Sequence, residues 1–400
     1  MVRVIEIDDI SAASRDLLSI GSDKVGIEIM APKAVSRVLK IEGVRPPAAN
    51  IIKQEMLSFG GEAATTYGSI NYSVDTTDML VFGTQKQLQE LIKKLKIHQF
   101  GLPDLAKEIE KALQNYDLAP KPIVFGNKTL NIGERTFIVG ILNVTPDSFS
   151  DGGKFTDINK AVAHAVQMAR DGADIIDIGG ESTRPGAEMV SAAVEKERVV
   201  PVIEALASRT DAIISIDTTK SEVAAAALSA GASMVNDISG LLFDPEMAKT
   251  VKKFNVPVCV MHIQGNPRTM QENPSYSDLM GEIIEGLKKR IEIAGRAGIL
   301  HEKIIVDPGI GFGKTVLHNL EILKRLRELK VLGCPIMVGT SRKSLIGQVL
   351  GLPADQRIEG TAATVAVSIT NGVDIIRVHD VKEIVKVAAM ADAIARASAP

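Results

Sequence analysis

The chain has 400 residues, 45% hydrophobic and 24% charged, a balance that gives a soluble globular protein of two domains, or one large domain with an appendage. Its net charge of −3 argues against nucleic-acid binding. No apolar run of about 18 residues is present to span a membrane, and the opening MVRVIEIDDISAASRD lacks the apolar core of a secretion signal.

Residues 1–120 read as a small mixed α/β domain. Val25 to Met30 is expected as a strand, Ala48 to Phe59 as a helix stopped by Gly60-Gly61, and Gly68 to Val74 and Met79 to Phe82 as short strands. Gln85 to Lys96 and Leu105 to Tyr116 have the spacing of amphipathic helices, with Lys93-Lys94 on a solvated face. No motif here carries chemistry; an interaction or dimerisation module and a stabilising appendage are both open. Leu118 to Pro122 reads as a linker.

Residues 121–400 repeat a strand–helix unit. Strands are expected near 137–143, 175–180, 213–218, 234–238, 256–262, 304–307, 335–340 and 375–379. Helices are expected at 157–172, 191–208, 220–230, 245–254, 276–297, 316–332, 357–371 and 381–397. Glycines just past several helices, such as Gly231 and Gly372, supply the stops. Eight such units fit a (β/α)8 TIM barrel, with a doubly wound open sheet as the alternative. Cys259 and Cys334 each sit in an apolar strand-like run and are expected as buried free thiols, which suits a cytoplasmic protein.

The expected strand ends are polar: Asn143; Asp177 with Glu181 just beyond; Asp217; Asn236-Asp237; His262; Asp307; Ser341-Arg342-Lys343; and Arg377 to Asp380. A single Asp after a strand is commonly a cap or turn residue. Eight polar ends converging on the C-terminal mouth of a barrel mark a site. Arg377 and His379 share a strand face and, with Lys343, could hold phosphate; a surface ion pair such as Arg377 with Asp380 is the rival. Asp217, Asn236 and Asp307 suit a flat heterocycle with donors and acceptors, or a metal. Glu181 to Gly186 opens a long polar loop able to close over a site. Pro308 to Thr315 nearly matches a phosphate-cradling loop, but Pro308 replaces the first glycine; its glycines are expected to admit a substrate against the backbone, flanked by Phe312 and Lys314. His262 is expected as a hydrogen-bonded structural residue.

Taken together, these motifs resemble the dihydropteroate synthase family over about residues 125–400. They are Gly140 to Gly152 (GILNVTPDSFSDG), Asp177 to Gly186 (DIGGESTRPG), Ser215 to Thr218, Val235 to Gly240, Met261-His262, Val306 to Lys314, Gly339 to Lys343 and Arg377 to Asp380. The resemblance implies a transferase that condenses (7,8-dihydropterin-6-yl)methyl diphosphate with 4-aminobenzoate, assisted by Mg2+, in a cytoplasmic homodimer. It implies that Asn143 ligates the metal and that Thr183, Arg377 and His379 hold the diphosphate. Asp217, Asn236, Asp307 and Lys343 would bind the pterin, and Phe312, Thr183, Arg184, Pro185, Lys343 and Ser344 would frame the aminobenzoate. The catalytic residues expected on this basis are Asp217, Asp307, Lys343, Arg377 and His379. A pterin-dependent methyltransferase acting with a corrinoid protein is the alternative; it would not need Thr183-Arg184-Pro185, Ser341 to Lys343 or the Arg377/His379 pair.

Overall fold

The computed structural model describes residues 1–145, 154–182 and 190–396, and divides the chain into two compact units, Met1–Asp117 and Leu118–Pro400. Among the described residues no helix is long and apolar enough to cross a membrane.

The first unit opens with helices α1 (Ile10–Ser19) and α2 (Lys24–Ala34). Asp9 accepts the Ala12 N–H at 2.8 Å and Asp23 accepts the Gly26 N–H at 3.0 Å, so each helix starts on an aspartate cap. Val25 to Met30 therefore lies in α2, not in the strand expected from its apolar content. Then come β1 (Ser36–Val44), α3 (Pro46–Ser58), β2 (Glu62–Thr65), β3 (Thr77–Thr84), α4 (Gln85–Leu95) and α5 (Leu102–Asp117). Strand β3 is central, with β1 and β2 antiparallel on either side. The strand expected at Gly68 to Val74 is absent: one 3-10 turn, Tyr67–Ser69, is followed by a turn in which Asn71 accepts the Ser73 N–H. Ile52, Met56, Val81, Leu88, Leu91 and Ile109 form this unit's own core between the sheet and α3 to α5.

The second unit begins with a hairpin, β4 (Ile123–Phe125) and β5 (Lys128–Leu130), turning at Gly126-Asn127 with Gly126 at φ +59°. The strands β6 (Phe137–Asn143), β7 (Ile175–Gly179), β8 (Ile213–Asp217), β9 (Met234–Asp237), β10 (Val258–Met261), β11 (Ile304–Asp307), β12 (Met337–Val338) and β13 (Ile375–Val378) follow. They run parallel in chain order from β6 to β11, and β13 joins β6 to β12. A parallel bridge between Val306 and Ile336, with the Val306 N–H on Pro335 O at 2.9 Å, closes the last seam. The result is a (β/α)8 barrel, not an open sheet. The eight strands alternate with α6 (Lys154–Arg170), α7 (Ala192–Ala207), α8 (Ser221–Ser229), α9 (Met247–Phe254), α10 (Leu279–Arg296), α11 (Val316–Lys324), α12 (Ser344–Leu350), α13 (Ile358–Thr370) and α14 (Val381–Ala395).

Strand periodicity sorts the side chains into two cores. Ile138, Ile176, Ile214, Val235, Val260, Val306 and Ile376 point outward onto the helices. Val139, Ile175, Ile213, Cys259, Ile305 and Ile375 fill the barrel, together with Ile123, Phe125 and Leu130 of the hairpin. Each such buried Ile or Val stabilises the fold by roughly 1.5–3 kcal/mol. The hairpin thus gives one end of the barrel an apolar plug, and the polar strand ends lie at the other. Both cysteines are buried and form no disulfide, and Cys334 Sγ lies 3.6 Å from His301 Nε2.

Three departures from the expected elements lie around the later strands. Strand β12 has two residues rather than six; Pro335 before it has no N–H to pair, and the Ile336 N–H goes to Asp374 Oδ2 at 2.9 Å instead of to a ladder. The helix expected at 316–332 ends at Lys324 and continues as a 3-10 segment, Leu326–Leu332, to Gly333 at φ +67°. Helix α12, not anticipated, starts directly after Lys343.

Candidate active site

The barrel register brings the polar strand ends into one layer. Asn143 lies opposite Gly179, Gly179 opposite Asp217, and Asp217 opposite Asn236, while Met261 pairs with Asp307 on the neighbouring strand. Gly179 keeps the wall open there: a Cβ on it would stand 3.7 Å from both Asn143 Oδ1 and Asp217 Cβ.

Arg377, on β13, sits among the carboxylates. Its Nε donates to Asp177 Oδ2 at 2.7 Å and its Nη2 to Asp217 Oδ2 at 2.6 Å. Asn236 Nδ2 donates to the same Asp177 oxygen at 2.9 Å. Burial works against the Arg377 charge, but Asp177 and Asp217 overcome it and hold the guanidinium firmly protonated. Burial pushes Asp217 up to about 7, opposed by Arg377 and reinforced by Asp177. The surface ion pair considered for Arg377 is not formed: Asp380 pairs with Arg342, whose Nε lies 3.1 Å from Asp380 Oδ2.

Asp307 ends β11, and its Oδ1 accepts the Gly309 N–H at 2.6 Å. Burial raises its pKa, opposed by Lys343 and by that N–H. Lys343 leads from β12 into α12; its Nζ bonds the Ile310 carbonyl and stands 4.6 Å above the Phe312 ring. Burial lowers Lys343 to about 8, with Asp307 opposing. Lys343 is thus on the Asp307 side of the mouth, apart from a phosphate trio with Arg377 and His379. Arg357 fixes this turn from behind, donating to the carbonyls of Arg342 at 2.9 Å and Lys343 at 3.3 Å. His379 follows β13, with its Nδ1 3.1 Å from Ser341 Oγ. Ser344 is exposed at the start of α12.

The glycine-rich loop after β11 corrects one expectation. A Cβ on Gly309 would stand 2.0 Å from His262 O, and one on Gly313 2.6 Å from Gln264 O. Gly309 and Gly313 thus let the loop pack on the neighbouring backbone, whereas a Cβ on Gly311 would meet the Lys343 side chain at 3.3 Å. Lys314 is buried, donating to Phe312 O at 2.9 Å and lying 3.1 Å from His262 Nδ1, so it cannot serve as a phosphate-loop lysine. Burial and the positive Lys314 and Arg290 push His262 down to about 2, a neutral structural histidine.

Thr183, Arg184 and Pro185 lie outside the described residues. Asp177 enters the site with a larger part than its strand-end position suggested; the signal was a lone carboxylate inside Ile175-Ile176-Asp177-Ile178. Among the described residues no group of three His, Cys, Asp or Glu could hold a metal. Asn143 supplies one neutral oxygen, which fits an ion that keeps its waters and takes substrate phosphates as ligands, the habit of Mg2+. Chemically, three carboxylates (Asp177, Asp217, Asp307) face two cations (Arg377, Lys343) around a cleft that favours a flat ligand rich in N–H donors.

A model of the family described as pterin binding enzymes matches residues 139–379. A dihydropteroate synthase of Clostridium beijerinckii is 53% identical over 272 residues, 68% of this chain and 98% of that protein. A probable bifunctional folylpolyglutamate synthase/dihydropteroate synthase of Halobacterium salinarum is 41% identical over 368 residues, 92% of this chain and 44% of that protein. That alignment is longer than the barrel unit and so reaches into the first unit. The crystal structure of a Clostridium difficile dihydropteroate synthase with pteroic acid superposes with a TM-score of 0.64 at 50% identity, covering 67% of this chain and all of the other.

Proposed function

The chain belongs to the dihydropteroate synthase family of pterin-binding enzymes, and we propose that it joins (7,8-dihydropterin-6-yl)methyl diphosphate to 4-aminobenzoate, releasing diphosphate and giving 7,8-dihydropteroate. The observation that carries this is the layer of Asp217, Asn236 and Asp307 beside Arg377 and Lys343. Carboxylates held at raised pKa in a buried cleft bind N–H donors strongly, because there each hydrogen bond relieves an unfavourable desolvation. The amino and ring N–H groups of a pterin supply them. Lys343 offers a donor to the ring's acceptors.

Arg377 and His379 lie at the β13 end, where the diphosphate would sit, and their positive and hydrogen-bonding groups favour charge building on a leaving oxygen. Asn143 would hold Mg2+ beside them, and the ion supplies further neutralisation of the diphosphate. As the methylene–oxygen bond breaks, positive character spreads into the pterin ring, and Asp217 and Asp307 stabilise it electrostatically. The aniline nitrogen then forms the new carbon–nitrogen bond and its proton passes to solvent. No activated nucleophile or strong base within the described cleft is required, which favours a dissociative substitution. Phe312 and Ser344, with Thr183, Arg184 and Pro185, would frame the aminobenzoate.

Exposed apolar side chains on the barrel's later helices, Val349, Val367, Met390 and Ile394, support a homodimer through those helices. Two buried cysteines that form no disulfide support a cytoplasmic location. The reaction is tested by incubating the protein with the pterin diphosphate, 4-aminobenzoate and Mg2+ and weighing the products by mass spectrometry. Dihydropteroate is expected; its absence from an active pterin-binding preparation would refute the synthase.

A further inference from the structure

We infer that Asp177 is a positioning residue of the pterin pocket, fixing the direction of the Asn236 amide and the plane of the Arg377 guanidinium. The inference rests on the synthase reading. Asp177 is buried in the middle of β7, one step deeper in the barrel than Gly179. Its Oδ2 takes the Arg377 Nε at 2.7 Å and the Asn236 Nδ2 at 2.9 Å.

A carboxylate only accepts, so it decides which end of the amide faces it. The NH2 of Asn236 must point at Asp177, and its carbonyl oxygen is left to accept an N–H of the bound heterocycle. Without this partner the amide could present either end. The guanidinium is held the same way: Asp177 takes Nε and Asp217 takes Nη2, and two anchors on different edges fix its plane. With the charge of Asp177 removed, the full pull on Arg377 comes from Asp217, and that carboxylate is drawn away from the pterin.

Packing alone does not account for the residue. Asp177 Oδ1 has no hydrogen-bond partner among the described residues, nor has Ser215 Oγ, on the residue paired with Asp177 across the sheet. A buried carboxylate with one oxygen unpaired is costly to the fold, so its contribution is to the site.

The test uses the full-length protein and the Asp177→Asn variant, with calorimetric binding of the pterin diphosphate and steady-state kinetics for both substrates. Asp177→Asn is expected to weaken pterin diphosphate binding at least tenfold while the KM for 4-aminobenzoate moves less than twofold. Its melting temperature should stay within a few degrees of wild type. In an Asn236→Ala background, the effect of Asp177→Asn should shrink at least threefold, because one of the groups it positions is gone. Asp177→Ser provides a second variant if the first does not fold. Pterin binding within twofold of wild type, or equal weakening toward both substrates, would overturn the inference and leave the synthase reading standing. A wild type that does not bind the pterin diphosphate would overturn both.

Discussion

Replacing Gly309 by alanine should disable the site from a position that need not touch substrate. Gly309 has φ +71°, and an added Cβ would stand 2.0 Å from the His262 carbonyl oxygen. The left-handed backbone alone costs an alanine about 1–2 kcal/mol. The contact is worse. Real Cβ atoms essentially never approach closer than 3.0 Å, and both partners here are backbone, so the loop must move by at least the difference, 3.0 − 2.0 = 1.0 Å. That motion breaks the 2.6 Å bond from the Gly309 N–H to Asp307 Oδ1, and it shifts Ile310 and Phe312, which Lys343 contacts. A misplacement of about 1 Å in a positioned group costs on the order of 100-fold in rate. We therefore expect kcat/KM for the pterin diphosphate to fall about 100-fold by diphosphate release, with melting lowered by several degrees. Gly351→Ala is the control: it has φ +70° but nothing within 4 Å of an added Cβ. It should pay the backbone cost and keep its activity. If Gly309→Ala retains activity within threefold of wild type, the coupling of this loop to Asp307 is wrong.

Other outcomes follow from the charges. Asp217, raised to about 7, must be ionised to accept pterin N–H groups, and Lys343, lowered to about 8, must be protonated to donate. The pH profile of kcat/KM for the pterin substrate should therefore be a bell peaking between those values, and Lys343→Arg should carry its alkaline limb upward. The raised pKa of Asp217 also has a sign for stability: its favourable contribution is present below the ordinary aspartate value of 3.8 and is lost as pH rises through about 7. Asp217→Asn should remove that part of the pH dependence of melting. Lys220 Nζ bonds Glu181 and the fully buried Glu195, each at 2.6 Å, so Lys220→Met strands a buried carboxylate. A loss of roughly 3–5 kcal/mol, about 10 °C in melting temperature, is expected, with partial recovery when Glu195→Gln is added. A polypeptide of residues 118–400 should retain synthase activity in the same product assay, since every assigned residue and a separate core lie within it.

The barrel was legible because its strands are short, Val/Ile-rich and buried on both faces, and most carry a polar residue at or beside their C-terminal end. Asp217, Asn236, Asp307 and Arg377 meet as their strand positions imply. What the sequence hid were long-range choices. Nothing local says that Arg377 would select Asp177 and Asp217 over Asp380, three residues on, which Arg342 takes from 38 residues away. Nor does Pro308 to Lys314 reveal that Gly309 and Gly313 face the backbone after β10, since that approach is set by barrel packing. In the first unit, Val25 to Met30 has strand-like composition, but the Asp23 cap made it a helix. The hairpin turn at Gly126-Asn127 carries a two-residue turn signal, but the strands beside it are only three residues long, too short for an alternating pattern to mark them.

The most direct measurement is diphosphate release by the full-length protein, with and without 4-aminobenzoate, for wild type and Arg377→Ala. Sustained release that needs 4-aminobenzoate and collapses in the variant is the expected result. Tight pterin binding without diphosphate release would contradict the account and favour a pterin-dependent methyltransferase.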